Sequence, residues 1–190
     1  ITFSLDDKYF FYSKLDEFHR PRKIFRHKLG TNIKDDELIF EEKSEAFTVG
    51  INLSSDEKYF FITTSDHNTS EQYFFPVNEQ KPNPKLIKKR KKGIIYSLTS
   101  WDNYFYCHTN ENAEDFKIER CKDLSNQNWE IFIAPKNEVL IGGLTFLNNW
   151  IIRAEKSNAL GKLFVKNKNT GIEEELNFSD EKVIVPGVSL

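Results

Sequence analysis

A chain of 190 residues is long enough for one sizeable core, and its 29 acidic and 27 basic side chains leave a net charge of −2, which provides no global field for recruiting nucleic acid or an anionic membrane. Aromatic residues make up 14% of the chain and Met is absent, an apolar content that fills pleated sheets better than helices. No apolar run approaches the roughly 18 residues that cross a bilayer, residues 1–12 lack the pattern of a secretion signal, and two cysteines do not make a secreted disulfide framework, so a soluble, cytoplasmic β protein is expected.

An aromatic motif returns along the chain. Asp6-Asp7-Lys8-Tyr9-Phe10-Phe11-Tyr12 reappears as Asp56-Glu57-Lys58-Tyr59-Phe60-Phe61-Ile62, as Asp102-Asn103-Tyr104-Phe105-Tyr106 and, more weakly, as Asn148-Asn149-Trp150-Ile151-Ile152. Its lead aromatics Tyr9, Tyr59, Tyr104 and Trp150 are spaced 50, 45 and 46 residues apart. The first unit, 1–46, enters mid-strand just before its motif. The second, 47–92, predicts strands at 47–53, 59–65, 71–77 and 85–88, separated by turn residues. The third, 93–138, predicts them at 94–99, 104–109, 115–120 and 129–133, and the fourth, 139–182, at 140–146, 150–155, 162–166 and 173–178. Residues 183–190 form a tail outside the repeat.

Four antiparallel strands per unit at such a period predict an all-β protein, a β-propeller of four blades. Helical arrays would need 3.6-residue periodicity over longer runs, which the units lack. Propeller sheets are buried on both faces, so the paired aromatics of each second strand are expected between blades. Four blades either close into an unusual small ring or form an arc of a larger one. The abrupt start at Ile1 favours the arc, and its two exposed blade faces predict possible self-association. Lacking Met, the chain is expected to be a fragment or a trimmed product.

Few residues offer chemistry. Ser65-Asp66-His67 has the residue types of a hydrolytic triad, but neighbours on a strand end point in alternate directions, so a turn is expected. His19, His27, His67 and His108 fall in different units or hairpins without metal spacing. Gly187-Val188-Ser189-Leu190 begins like a nucleophile elbow but lacks the second Gly and the following helix. Gly142-Gly143 inside a strand predicts a bulge. No catalytic, cofactor-binding or metal-binding residue is assigned, and neither nucleic acid nor membrane is expected as a partner. Cys107 and Cys121 are read as reduced packing residues, and the acidic clusters Asp35-Asp36-Glu37 and Glu173-Glu174-Glu175 as edge protection. Lys88-Lys89-Arg90-Lys91-Lys92 is read as a solvated crossover between blades, with a nucleic-acid patch as the sharper alternative.

Several stretches carry a family resemblance. Leu15-Asp16-Glu17-Phe18-His19-Arg20-Pro21, continuing through Lys23-Ile24-Phe25-Arg26-His27-Lys28-Leu29-Gly30-Thr31, resembles the blade signature of oligopeptidase B, in the prolyl oligopeptidase family of serine peptidases. Glu41-Glu42-Lys43 with Phe47 is similar to the next stretch of that family, and Asp66-His67-Asn68-Thr69-Ser70-Glu71 and Thr109-Asn110 with Ala113-Glu114-Asp115-Phe116 to its following two blades. The likeness runs to about residue 182; the segment from Lys182 to Leu190 does not match, as truncation or gene decay would produce. The resemblance implies a seven-bladed propeller over an α/β-hydrolase domain that cleaves short peptides after Lys or Arg, with the propeller excluding folded proteins. None of the implied triad falls in these blades, so the chain is expected to be inactive alone and to meet peptide substrates only through the hydrolase domain. The alternative is a stand-alone interaction scaffold that binds through blade tops and the basic loop.

Overall fold

The computed structural model describes residues 1–177. Sixteen strands alternate with turns, and a single 3-10 turn at Ile33–Asp35 is the only helical element among the described residues. The first sheet contains β1 (Thr2–Phe3), β2 (Tyr9–Leu15), β3 (Pro21–Lys28) and β4 (Glu37–Glu41). The second contains β5 (Thr48–Leu53), β6 (Tyr59–Ser65), β7 (Ser70–Pro76) and β8 (Lys85–Lys88). β9 (Tyr96–Trp101), β10 (Tyr104–Thr109), β11 (Lys117–Cys121) and β12 (Glu130–Ile133) make the third. β13 (Leu140–Leu147), β14 (Trp150–Ser157), β15 (Leu160–Asn167) and β16 (Glu173–Glu175) make the fourth. Each sheet is ordered as its strands follow in the chain. The fold is thus all-β, four antiparallel sheets of four strands. It divides into two compact units, Ile1–Asn103 and the residues from Tyr104 onward.

The repeated motif has a local cause. In the first turn Ser4 Oγ donates to Asp6 Oδ1 at 2.7 Å and accepts from Tyr9 N at 2.9 Å. Fifty residues on, Ser54 Oγ donates to Asp56 Oδ1 at 2.9 Å and accepts from Tyr59 N at 3.0 Å. Asp7 and Glu57 take matching positive φ of 55° and 57°. A short polar side chain closing its own backbone turn is the reason Ser and Asp recur there.

In the first unit the second-strand aromatics fill the space between sheets, as expected. Phe11 of β2 meets Phe60 of β6 at 4.7 Å and Phe75 of β7 at 5.7 Å between ring centroids, and Phe40 of β4 meets Tyr73 of β7 at 4.7 Å. Ile24, Val49, Ile51 and Ile62 complete that core. In the second unit Tyr106 of β10 packs on Phe146 of β13 at 4.9 Å. Gly142 and Gly143 sit in a bulge, as predicted: Ile141 lies opposite Glu155 and Leu144 opposite Arg153, leaving one residue extra on β13.

Strand starts in the third sheet differ from expectation. The strand predicted at 94–99 begins at Tyr96, because Gly93 at φ +81° and the bond from Ile94 N to Lys91 O keep the preceding residues in the crossover. The strand predicted at 115–120 begins at Lys117, because Phe116 takes φ 66° in a turn closed by its N–H on Ala113 O. In the fourth sheet β16 ends at Glu175 rather than running through 178. Phe178, the tail 183–190 and the elbow-like Gly187-Val188-Ser189 lie outside the described residues.

Candidate functional site

Ser65, Asp66 and His67 do form a turn. Asp66 Oδ1 accepts from Asn68 N at 2.9 Å and Thr69 N at 2.7 Å, which leaves the carboxylate turned onto its own backbone. Among the described residues no hydrogen bond joins a serine hydroxyl to a histidine ring, and no three His, Cys, Asp or Glu side chains gather to hold a metal. No helix among them is long and apolar enough to cross a membrane. Cys107 and Cys121 are both buried; in the ladder of β10 with β11 Cys107 faces Glu119 and Cys121 faces Phe105.

The chemistry that is present consists of buried charges, and it corrects three sequence readings. The basic run is not uniformly solvated. Arg90 turns inward, where its Nη2 donates to Glu42 Oε2 at 2.6 Å and to Glu71 Oε2 at 2.8 Å, while its backbone N–H donates to Glu71 Oε1 at 2.8 Å. The guanidinium lies 4.0 Å over the Phe47 ring. Glu42 and Glu71 side chains are only 5% and 6% exposed, against 25% for Arg90. Glu42 also accepts from Ser44 N, and Glu71 from the Tyr73 hydroxyl, each at 2.8 Å. Burial drives the Glu71 carboxyl upward, yet the bonds from Arg90 outweigh it and hold the group below its ordinary range. Burial and the adjacent Glu71 push the Tyr73 phenol up to about 12. The cluster is a clamp: it ties the exit of the first sheet to the crossover leaving the second.

Asp36 and Glu37 are not mere edge charges either. Asp36 accepts from the Tyr12 hydroxyl at 2.7 Å and bonds His27 Nδ1 at 2.6 Å, with 3% of its side chain exposed. Burial raises its carboxyl, and the bonds to Tyr12 and His27 reverse that and leave it below the usual value. Burial, then Asp36, pushes the Tyr12 phenol up to about 12. Glu37 holds the buried Arg26 through Nε at 3.0 Å.

In the second unit Glu173 binds Arg153 through both oxygens, at 2.8 and 3.0 Å, and Arg153 Nε reaches Glu155 at 2.8 Å with Lys136 on the same carboxylate oxygen at 2.6 Å. Arg153 and Glu155 are almost fully buried, so Glu173, although on an outer strand, completes an interior ion network. A signal existed for these groups: Arg153 interrupts an apolar strand, and Arg90 is the one guanidinium among lysines, suited to bridging two carboxylates.

Two clefts flank the second unit's sheets. One of about 360 Å³ is lined by Tyr104, Arg120, Lys122, Asp123, Asn128 and Glu130, with Arg120 held by Glu130 at 2.6 Å. The other, of about 370 Å³, lies beside Trp150, Val165, Ile172 and Leu176 on the fourth sheet. The buried Cys121 also lines the first cleft. The described charges build ion clamps, and the aromatic rings build interfaces between sheets.

Comparison with known proteins agrees with that architecture. Residues 1–186 match the family described as prolyl oligopeptidase, N-terminal beta-propeller domain. Protease 2 of Moraxella lacunata is 37% identical over 121 residues, 63% of this chain and 18% of the relative. Dipeptidyl aminopeptidase BI of Pseudoxanthomonas mexicana is 26% identical over 169 residues, 87% of this chain and 23% of the relative. Among solved structures, oligopeptidase B from Leishmania major superposes with a TM-score of 0.86 at 18% identity, covering 95% of this chain and 27% of that one. Oligopeptidase B from Trypanosoma brucei, with covalently bound antipain, gives 0.84 at 19%, covering 92% and 26%. The chain thus spans about a quarter or less of the length of these relatives, and it belongs to the prolyl oligopeptidase N-terminal β-propeller family.

Proposed function

We propose that these blades are part of the propeller of an oligopeptidase B type serine peptidase, and that in the intact protein they restrict a hydrolase site to short peptides cleaved after Lys or Arg. The observation that carries this reading is the 37% identity to Protease 2, supported by the family match. The blades contribute a rigid wall: aromatic rings packed between sheets and buried ion clamps resist the local opening through which a larger chain would enter. On this reading the nucleophile belongs to a hydrolase domain of the intact protein, which meets the peptide substrates, and the chain alone is inactive. Two buried thiols suit a reducing, cytoplasmic setting.

The test uses the intact peptidase that contains these blades. Loosening the clamp with Arg90→Ala should leave kcat/KM for a short Arg reporter peptide within about threefold and raise cleavage of a long unfolded polypeptide about tenfold. Unchanged size selectivity in a variant with measurably loosened blades would overturn the filtering role, and a reporter cut after residues other than Lys or Arg would overturn the specificity.

A further inference from the structure

Antiparallel strand direction brings four connections of the first unit to one end of its sheets: the 16–20 tip, the 42–47 crossover, the 66–69 turn and the 89–95 crossover. Side chains knit them together. Arg20 Nη1 donates to Glu45 O at 2.9 Å, Arg22 Nη2 to Glu42 O at 2.7 Å, Arg90 Nη2 to Glu42 Oε2 at 2.6 Å and Gly93 N to Thr69 Oγ1 at 3.1 Å. The Asp16 carboxylate fixes the tip by accepting from Phe18 N and Arg20 N. The arginines here are consumed by carboxylates and carbonyls, whereas Lys43, Lys89 and Lys92 are exposed, as is Lys91. Lys43 adjoins Glu42 and Lys89 adjoins Arg90, so the Glu42–Arg90 contact draws lysines from two crossovers together. Glu17, Glu45 and Asp66 are exposed acids on this end, but none lies on the 89–95 crossover, where Lys89, Lys91 and Lys92 are exposed. Positive charge is therefore in excess there, on a chain that is slightly acidic overall.

We propose that the Arg90 clamp holds Lys43, Lys89 and Lys92 as a docking surface for an acidic polypeptide segment. Charge complementarity selects that occupant over a nucleic acid. Phosphate recognition favours the bidentate guanidinium fork, and single strands need open aromatic platforms between the cations. On this end the forks of Arg20 and Arg90 are engaged, and the Phe47 ring is buried beneath the Arg90 guanidinium at 4.0 Å. Lysine ammoniums on a preorganised surface suit a row of carboxylates, with affinity set by charge and therefore by salt. Exposed Leu15 and Phe18 at the neighbouring tip offer apolar contact to a partner that follows the lysines towards the hairpin.

The experiment is fluorescence anisotropy of a labelled peptide of alternating Glu and Ala against the full chain. Binding is expected at about 50 mM salt and should weaken at least about tenfold by about 300 mM. The triple variant Lys43→Glu, Lys89→Glu, Lys92→Glu should weaken it by about 10- to 100-fold. A matched reversal at the opposite end, Lys8→Glu, Lys28→Glu, Lys58→Glu, changes net charge equally and should retain binding within about threefold. Circular dichroism confirms that both variants fold. Equal loss in the two triple variants, no binding by the native chain, or tighter capture of single-stranded RNA or of phosphatidylserine vesicles than of the acidic peptide would overturn the proposal.

Discussion

Removing the Arg90 side chain tests whether the basic crossover is solvated or clamped. In Arg90→Ala two nearly buried carboxylates, Glu42 and Glu71, lose the cation that bridges them. Stripping one partner from a fully buried ion pair costs about 3–5 kcal/mol. Here Arg90 is a quarter exposed, Glu71 keeps the Tyr73 hydroxyl and Glu42 keeps Ser44 N, so a loss of about 2–3 kcal/mol is expected. For a domain of this size that is a fall of about 5–10 °C in Tm. The sign with pH follows from Glu71. Its folded carboxyl is depressed, so in the native chain the clamp contributes fully above the ordinary glutamate value of about 4.3 and fades as pH falls through the lower folded value. In the variant burial raises the Glu71 carboxyl with no Arg90 to oppose it, and protonation relieves it, so the gap between native and variant should narrow from pH 7 to pH 5. Urea unfolding at both pH values measures it. A loss under about 0.5 kcal/mol at pH 7, the range of an ordinary surface change, would refute the clamp.

Other consequences are local. Phe11→Ala should cost about 3–5 kcal/mol in urea unfolding, because the ring is 3% exposed and packs against both Phe60 and Phe75. Ala159→Gly should add about 0.5 kcal/mol of stability, since Ala159 holds φ 63° in the tight β14–β15 turn and glycine removes that left-handed strain. Tyrosine absorbance followed to high pH should show a late class near about 12 that shrinks in Tyr12→Phe and again when Tyr73→Phe is added. Both folded phenols are raised, so their contribution is complete below the ordinary value of about 10 and is lost as pH rises through the folded value.

The strand pattern was legible where local chemistry repeats. β6 and β10 fall at the predicted residues because the Asp-containing turn and the aromatic run are encoded within a dozen neighbouring positions. Starts set by left-handed residues without a strong glycine or asparagine signal, such as Phe116, escaped by two residues. The ion clamps escaped for a different reason. Glu42 and Arg90 are 48 residues apart, and nothing near either residue tells whether a charge in a polar loop faces water or a partner brought in by the neighbouring sheet. Asp36 is similar: it reads as one of three consecutive acids, and only the β2–β3–β4 register places Tyr12 and His27 against it. The family was legible in the tip and turn residues: Asp16 accepts from Arg20 N and Nε across the first tip, and Asp66 accepts from Thr69 N in its turn.

The central reading, that residues 1–190 gate a peptidase site without forming one, meets its most direct test in a fluorophosphonate serine probe applied to the purified chain alongside an Arg reporter peptide. The account predicts no labelled serine and no turnover above buffer. A labelled serine within the chain, with turnover that its Ser→Ala replacement abolishes, would contradict it.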